Sequence, residues 1–305
     1  MLVFATSDKG GTGRSVTSAN LAYRHALQGH NACYVDFDFG SPTAGAIFHI
    51  NAVSRGAKAG GLHSYLLGSV GEPVSMDVWR ASDREGIRDR PRGAGELVLF
   101  PGDSGGGEFA GSAAMVERCV RLFVRLEEQF DLCLVDLSAG RSFATDIVLT
   151  ATHHPQLRSA VVRWLVFHRW TRQHIIAANG LVFGAHGIIE SGVERGHDRE
   201  ALRNAIRFVR TAYVDPDSAS LSGLRSTQIA WLRETNEDLQ ELAGRSRLGS
   251  TTTLGSVPLD PILQWREQLI LDDDAWTKQV ANEATIESFD RLAKNLVDEL
   301  IWEGL

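Results

Sequence analysis

The sequence predicts an α/β fold: a single domain over residues 1–305, built on a mostly parallel seven-stranded sheet with helices on both faces. Three observations predict it. Short apolar runs alternate along the chain with longer stretches of helical period. The first of those runs opens directly into a glycine-rich turn that starts a helix. And 305 residues, 43% hydrophobic and 23% charged, suffice to bury one large core without a second domain.

Leu2 to Ala5 form the first apolar run, suited to a buried parallel strand. Ser15 to His30 carry helical spacing, with Val16, Ala19, Tyr23 and Ala26 on one face and Gly29 as the stop. A second strand runs through Tyr34 and Val35. Ser41 to Gly61, rich in Gly, Ala and Ser, read as a short helix and a loop, and Gly61 to Gly68 as a further helix face. Charged residues, Gly and Pro crowd the stretch before Leu97, so 82–95 is expected as a surface insertion, and Leu97 to Phe100 return to a strand. Val116, Val120, Phe123 and Val124 follow the helical period and lead into the strand around 132, completing a second βαβ crossover. Strands are further expected at Trp164–Phe167, Arg207–Arg210 and Thr253–Pro258, which brings the total to seven. Residues 215–250 read as another surface insertion, with a helix around Ile229, Leu232, Leu239 and Leu242. The last helix, from Asn282 to Trp302, has Ile286, Phe289, Leu292, Leu296 and Leu300 facing one way.

A formal net charge of −7 argues against a surface given over to nucleic acid or acidic lipid. Three cysteines cannot all pair: Cys33 and Cys133 sit in strand-like runs and Cys119 on a helical pattern, which fits reduced residues of a cytoplasmic protein. No continuous apolar run approaches the length of a membrane span, and the acidic last helix would be repelled by an anionic bilayer.

The chemistry is concentrated in Asp8-Lys9-Gly10-Gly11-Thr12-Gly13-Arg14-Ser15-Val16. A strand feeding such a turn aims several backbone N–H groups at one point, which attracts a phosphate, and glycines at 10, 11 and 13 let the backbone close round it. Ser15 supplies a hydroxyl where such loops hold Mg²⁺. The usual pattern ends in Gly-Lys-Ser/Thr; here Arg14 stands in the lysine's place, and a planar guanidinium fork is not sterically equivalent to an ammonium.

With Lys9 ahead of Gly-Gly-x-Gly, the loop resembles the deviant Walker A motif of the ParA/MinD-like ATPases. Val35-Asp36-Phe37-Asp38 is similar to that family's switch I and Phe130 to Gly140 to its Walker B strand and switch II. Arginine in the loop suggests a narrower kinship with variant P-loop proteins of actinomycetes. The resemblance implies ATP or ADP with Mg²⁺ as cofactors and a nucleotide-dependent homodimer that recruits a protein partner. It implies cofactor contacts from Lys9, Gly10, Gly11, Thr12, Gly13, Arg14, Ser15, Val16, Gly140 and Pro258. Metal contacts fall on Ser15, Asp38 and Asp136, the last through water. Lys9 would reach the partner subunit's nucleotide, Asp38 would orient the attacking water, and Lys9 with Arg14 would neutralise developing charge. The arginine implies slow or impaired hydrolysis.

A non-hydrolysing scaffold on the same fold is the alternative. An NAD(P)-dependent oxidoreductase is a weaker one: Gly11-Thr12-Gly13 begins a dinucleotide fingerprint, but position 16 is Val rather than the third glycine. His153-His154 read as loop residues and Trp164, Trp170, Trp231 and Trp265 as core or interface fillers. Arg203, Arg207, Arg210, Arg245 and Arg247 could gather into a DNA-binding patch, but scattered solvated arginines are favoured.

Overall fold

The structure, a computed structural model, describes residues 1–303 apart from Glu108, Ala110, Ala219 and Ser220. All seven expected strands form: β1 Leu2–Thr6, β2 Ala32–Phe37, β4 Leu97–Phe100, β5 Leu132–Leu137, β6 Val162–Arg169, β7 Ile206–Tyr213 and β8 Thr253–Pro258. An eighth, β3 at Met76–Asp77, pairs antiparallel on the edge of β4, so the sheet has eight strands rather than seven. Two residues are too short to show a period of two, which is why the pattern misses it. The order is β3-β4-β2-β5-β1-β6-β7-β8, and every pairing but the first is parallel.

The helices are α1 Arg14–Leu27, α2 Ala44–Ile47, α3 Leu62–Leu67, α4 Val78–Ala81, α5 Ala113–Gln129, α6 Phe143–Thr152, α7 Arg172–Phe183, α8 Ile188–Glu194, α9 Arg199–Asn204, α10 Ser226–Arg245, α11 Pro261–Trp265, α12 Asp272–Trp276, α13 Glu283–Val297 and α14 Glu299–Trp302. They cover both faces. Phe4, Cys33, Val35 and Cys133 point to the side packed by α3, α5, α6, α7 and α8. Val3, Ala5, Tyr34 and Leu134 point to the side packed by α1, α12 and α13. Central strands buried on both sides read as continuous apolar runs, as β1 and β5 do.

Because β1 leads outward to β2 while β5 returns across it to β6, the strand order reverses at β1. Ligands of open α/β sheets bind outside the carboxyl ends of strands at such a reversal, and the glycine loop lies there.

Several local expectations change. Residues 82–95, expected as a surface insertion, are mostly exposed and are anchored by buried Ile87 and Ala94. Of 215–250, Ala219 and Ser220 lie outside the described residues; the rest includes α10, where Ala243 is the buried residue. Leu300 is exposed, not on the apolar face of α13, because Asp298 ends that helix and caps α14, breaking the phase. Trp231 and Trp265 are exposed as well, while Trp164 and Trp170 are core. The stretch Arg172–Glu194 has the length and mean hydropathy, 1.2, of a membrane span. It folds as two helices, with Leu181, Val182, Ile188 and Ile189 in the core.

Candidate functional site

The turn between β1 and α1 is shaped by Gly11 and Gly13, at φ +71° and +72°, a region costly for any residue with a Cβ. Gly13 is the helix N-cap and brings no side-chain cap of its own. The amides of Gly10 to Val16 donate to no group among the described residues; the first helical bond is Thr17 N to Gly13 O, 2.9 Å. Unpaired amides at a helix start are an anion nest. A Cβ added at Gly10 or Gly11 would meet nothing within 4 Å, so the space above the loop is open.

A cavity of about 280 Å³ adjoins the turn, bordered by Gly11, Thr12, Gly13, Val16 and Thr17 on one side and by Val257 and Pro258 from the end of β8 on the other. This brings Pro258 to the loop, 245 positions away in sequence from Gly13, as the resemblance implies. Thr211 on β7 also borders the cavity and braces the turn: its hydroxyl donates to Thr12 O at 2.5 Å and lies 3.3 Å from His168 O. Arg210 stacks on Trp170, 4.0 Å from the ring centroid. Beside Thr12, Thr17 and Thr211, the longer polar residues that border the cavity are Arg169, Gln264 and Glu267, which sequence reasoning missed. No motif spacing marks them, since they come from a strand end and from around α11.

Asp36, Asp38 and Asp136 gather behind the loop. Asp36 and Asp136 are register partners on β2 and β5, on the face toward α1. Arg14, the first residue of α1, turns inward and joins them: its Nε donates to Asp136 Oδ1 at 2.5 Å and an Nη to Asp38 Oδ2 at 2.9 Å. Further guanidinium contacts reach Ser15 Oγ at 3.4 Å and Ser7 Oγ at 3.5 Å. Tyr34 donates its hydroxyl to the other oxygen of Asp136 at 2.6 Å. Burial works against the Arg14 charge, but Asp136 and Asp38 outweigh it and hold the guanidinium more firmly protonated than usual. Burial, then Asp136, pushes the Asp36 carboxyl well above the usual range, although the amides of Ala44 and Asp38 donate to it at 3.1 and 3.3 Å.

The three groups expected to hold Mg²⁺, Ser15, Asp38 and Asp136, are therefore all in contact with one guanidinium, and they do not fit the metal as they stand. Among the described residues no group of three or more His, Cys, Asp or Glu is arranged for a metal ion. Gly140, at φ +78°, donates its amide to Ser7 O at 2.7 Å and so ties the segment after β5 to the turn after β1. The Lys9 ammonium makes no hydrogen bond or ion pair among the described residues.

Neither a protein-family model nor a curated protein matches the chain by sequence. Solved structures do match it by shape. MinD cell division protein of Aquifex aeolicus, in its complex with MinC, superimposes at a TM-score of 0.58 with 14% identity, over 97% of this chain and 95% of that one. This is the fold of the MinD and ParA P-loop ATPases. A Borrelia burgdorferi protein assigned to plasmid partition and bound to AMPPNP gives 0.61 at 12% identity, over 98% of each chain. Septum site-determining protein MinD of Pyrococcus horikoshii, complexed with Mg-ADP, gives 0.54 at 14%, again over 98% of each. Within the MinD/ParA fold, the turn after β1 and the ends of β2 and β5 converge on one place, and it is there that this chain carries Arg14 among carboxylates.

Proposed function

We propose that the chain is a nucleotide-dependent molecular switch of ParA/MinD type. A purine nucleoside triphosphate, ATP in the first instance, places its phosphates on the amides of Gly10 to Val16 and its base in the cavity beside Pro258. Binding promotes a two-fold dimer that recruits a protein partner, with Lys9 reaching across to the partner subunit's nucleotide and Gly140 sensing the terminal phosphate. The observation that carries this reading is the run of unpaired amides beside an open cavity at the strand-order reversal. Ordering of switch segments by a terminal phosphate is a known route for such coupling.

Hydrolysis is slow or absent. Asp38, assigned to orient the water, has a carboxylate oxygen committed to Arg14. The same observation favours the second reading, a scaffold that binds nucleotide without turnover. Acting in the cytoplasm away from bilayers agrees with α13, whose Ile286, Phe289, Leu292 and Leu296 are buried against the sheet rather than available to lipid. Direct DNA binding is not favoured: Arg203 and Arg245 pair with Glu200 and Glu241, Arg207 is buried, and Arg210 and Arg247 lie over Trp170 and Phe183.

Light-scattering mass, measured without nucleotide, with ADP and with a non-hydrolysable ATP analogue, tests the switch. The dimer is expected with the analogue and is lost in Lys9→Ala. Phosphate release followed over hours separates switch from scaffold, and a calorimetric titration showing no heat with any purine nucleotide overturns both.

A further inference from the structure

We propose that the Arg14 guanidinium is the resident cation of this loop, standing where P-loop proteins hold a divalent ion, so that the chain takes its nucleotide without a metal. The metal half rests on side-chain geometry alone; the nucleotide half rests on the function proposed above. Asp136 has both oxygens committed, one to Arg14 Nε and the other to the Tyr34 hydroxyl. Asp38 gives an oxygen to the other arm of the same fork, and Ser15 Oγ lies on that arm too. Arg14 is almost fully buried, 6% exposed, and makes these contacts from the first turn of a helix packed into the core.

A Mg²⁺ ion demands near-octahedral oxygen ligands at about 2.0–2.1 Å and keeps several waters, so it needs both the oxygens and the room that the guanidinium takes. Lysine, a compact charge on a flexible stem, lacks the rigid fork that holds two carboxylates in fixed places, and leaves more of their oxygens and the space between them to a metal. Arginine at this position removes the phosphate-facing charge and fills the metal's position in one substitution. Charge on a bound triphosphate then falls to the free amides of Gly10 to Val16 and to Lys9. With no metal to polarise the terminal phosphate and with Asp38 held, the nucleotide is a retained ligand, exchanged rather than consumed.

Two measurements test this. Paramagnetic resonance of Mn²⁺ added to the nucleotide-free protein should show free ion only with wild type, whereas Arg14→Met and Arg14→Lys should take up Mn²⁺ that Mg²⁺ displaces. Calorimetry with ADP and with AMPPNP should give wild-type affinities that change less than about threefold between Mg²⁺ and EDTA, while Arg14→Lys loses more than about tenfold on chelation. Wild type binding Mn²⁺ in a manner abolished by Asp136→Asn overturns the proposal, as does a tenfold loss of wild-type affinity in EDTA. Two folded variants that take up no more Mn²⁺ than wild type overturn it too. If Arg14→Met does not fold, Arg14→Lys decides. If no nucleotide binds in either buffer, the switch reading falls, yet uptake of Mn²⁺ by the variants and not by wild type still supports Arg14 as the cation.

Discussion

Tyr34 is a single side chain on which the carboxylate cluster depends. Its hydroxyl is buried and donates 2.6 Å to Asp136 Oδ2, on the side of the carboxylate that Arg14 does not reach. Tyr34→Phe removes the hydroxyl, with its longer 3.5 Å contact to Ser15 O, and leaves a buried carboxylate oxygen unpaired, which costs about 1–3 kcal/mol. Urea midpoints at neutral pH should show that loss, and it should shrink when Asp136→Asn is already present, because the group left unpaired is then uncharged. A midpoint no different from wild type would remove Tyr34 from the cluster. That the glycine turn, Asp38 and Asp136 are neighbours was legible in sequence, because each follows an apolar run in the order of a parallel α/β sheet. The inward turn of Arg14 was not: position in a motif fixes residue type and spacing, whereas the direction of a long side chain is set by what it meets. What it meets here is a pair of carboxylates brought together by the pairing of β2 with β5.

At the scale of elements, α1 is held at its outer side by the segment running from α11 to α12. Asn20 on α1 donates to Val16 O at 2.9 Å and Gln268 O at 3.1 Å, and accepts from Ile270 N at 2.8 Å. Arg24 continues the clamp to Ile270 O at 3.0 Å and to Asp272. Asn20→Ala strands a buried amide and a buried carbonyl, for an expected loss of about 2–3 kcal/mol read from denaturant midpoints. Gln264 and Glu267, which border the cavity, lie just before the released strap, so weaker nucleotide binding should accompany the loss. Unchanged affinity in a clearly destabilised variant would show that the strap supports the fold and not the pocket. Elements with a long period were legible as elements, less so in their ends: the spacing of Val116, Val120, Phe123 and Val124 marks α5, where Ser112 accepts from Met115 N at its start, whereas α1, expected to reach His30, stops at Leu27. The two-residue edge strand β3 and the break at Asp298 were not, since a two-residue pairing has no period and a helix that stops for one residue keeps its apolar composition while losing its phase.

Across the whole molecule, the two sides of the sheet each carry a histidine that the fold keeps neutral. His25, on α1, has neither ring nitrogen partnered among the described residues and stacks on His30 with centroids 4.7 Å apart. Burial first, then His30 and the N-terminus, lowers it to about 4, with Asp131 opposing. His168, on β6, is lowered to about 4 by burial, with Arg210 and His174 adding to it and the Arg169 carbonyl opposing. Each takes up its proton near pH 6.5 when unfolded and only near pH 4 when folded, so the unfolded chain binds more protons between those values. Stability is therefore full above pH 6.5 and falls as the pH drops toward 4. For one such histidine the loss between about pH 7.5 and about pH 5 comes to roughly 2 kcal/mol. Urea unfolding of wild type and of His25→Phe at those two values isolates the term, because carboxylates common to both proteins cancel in the difference. Wild type should lose roughly 2 kcal/mol more than the variant over that interval. Parallel losses would mean that His25 takes up its proton in the folded chain as readily as in the unfolded one, and that the end of α1 beside His30 and Asp131 admits water to a ring buried there.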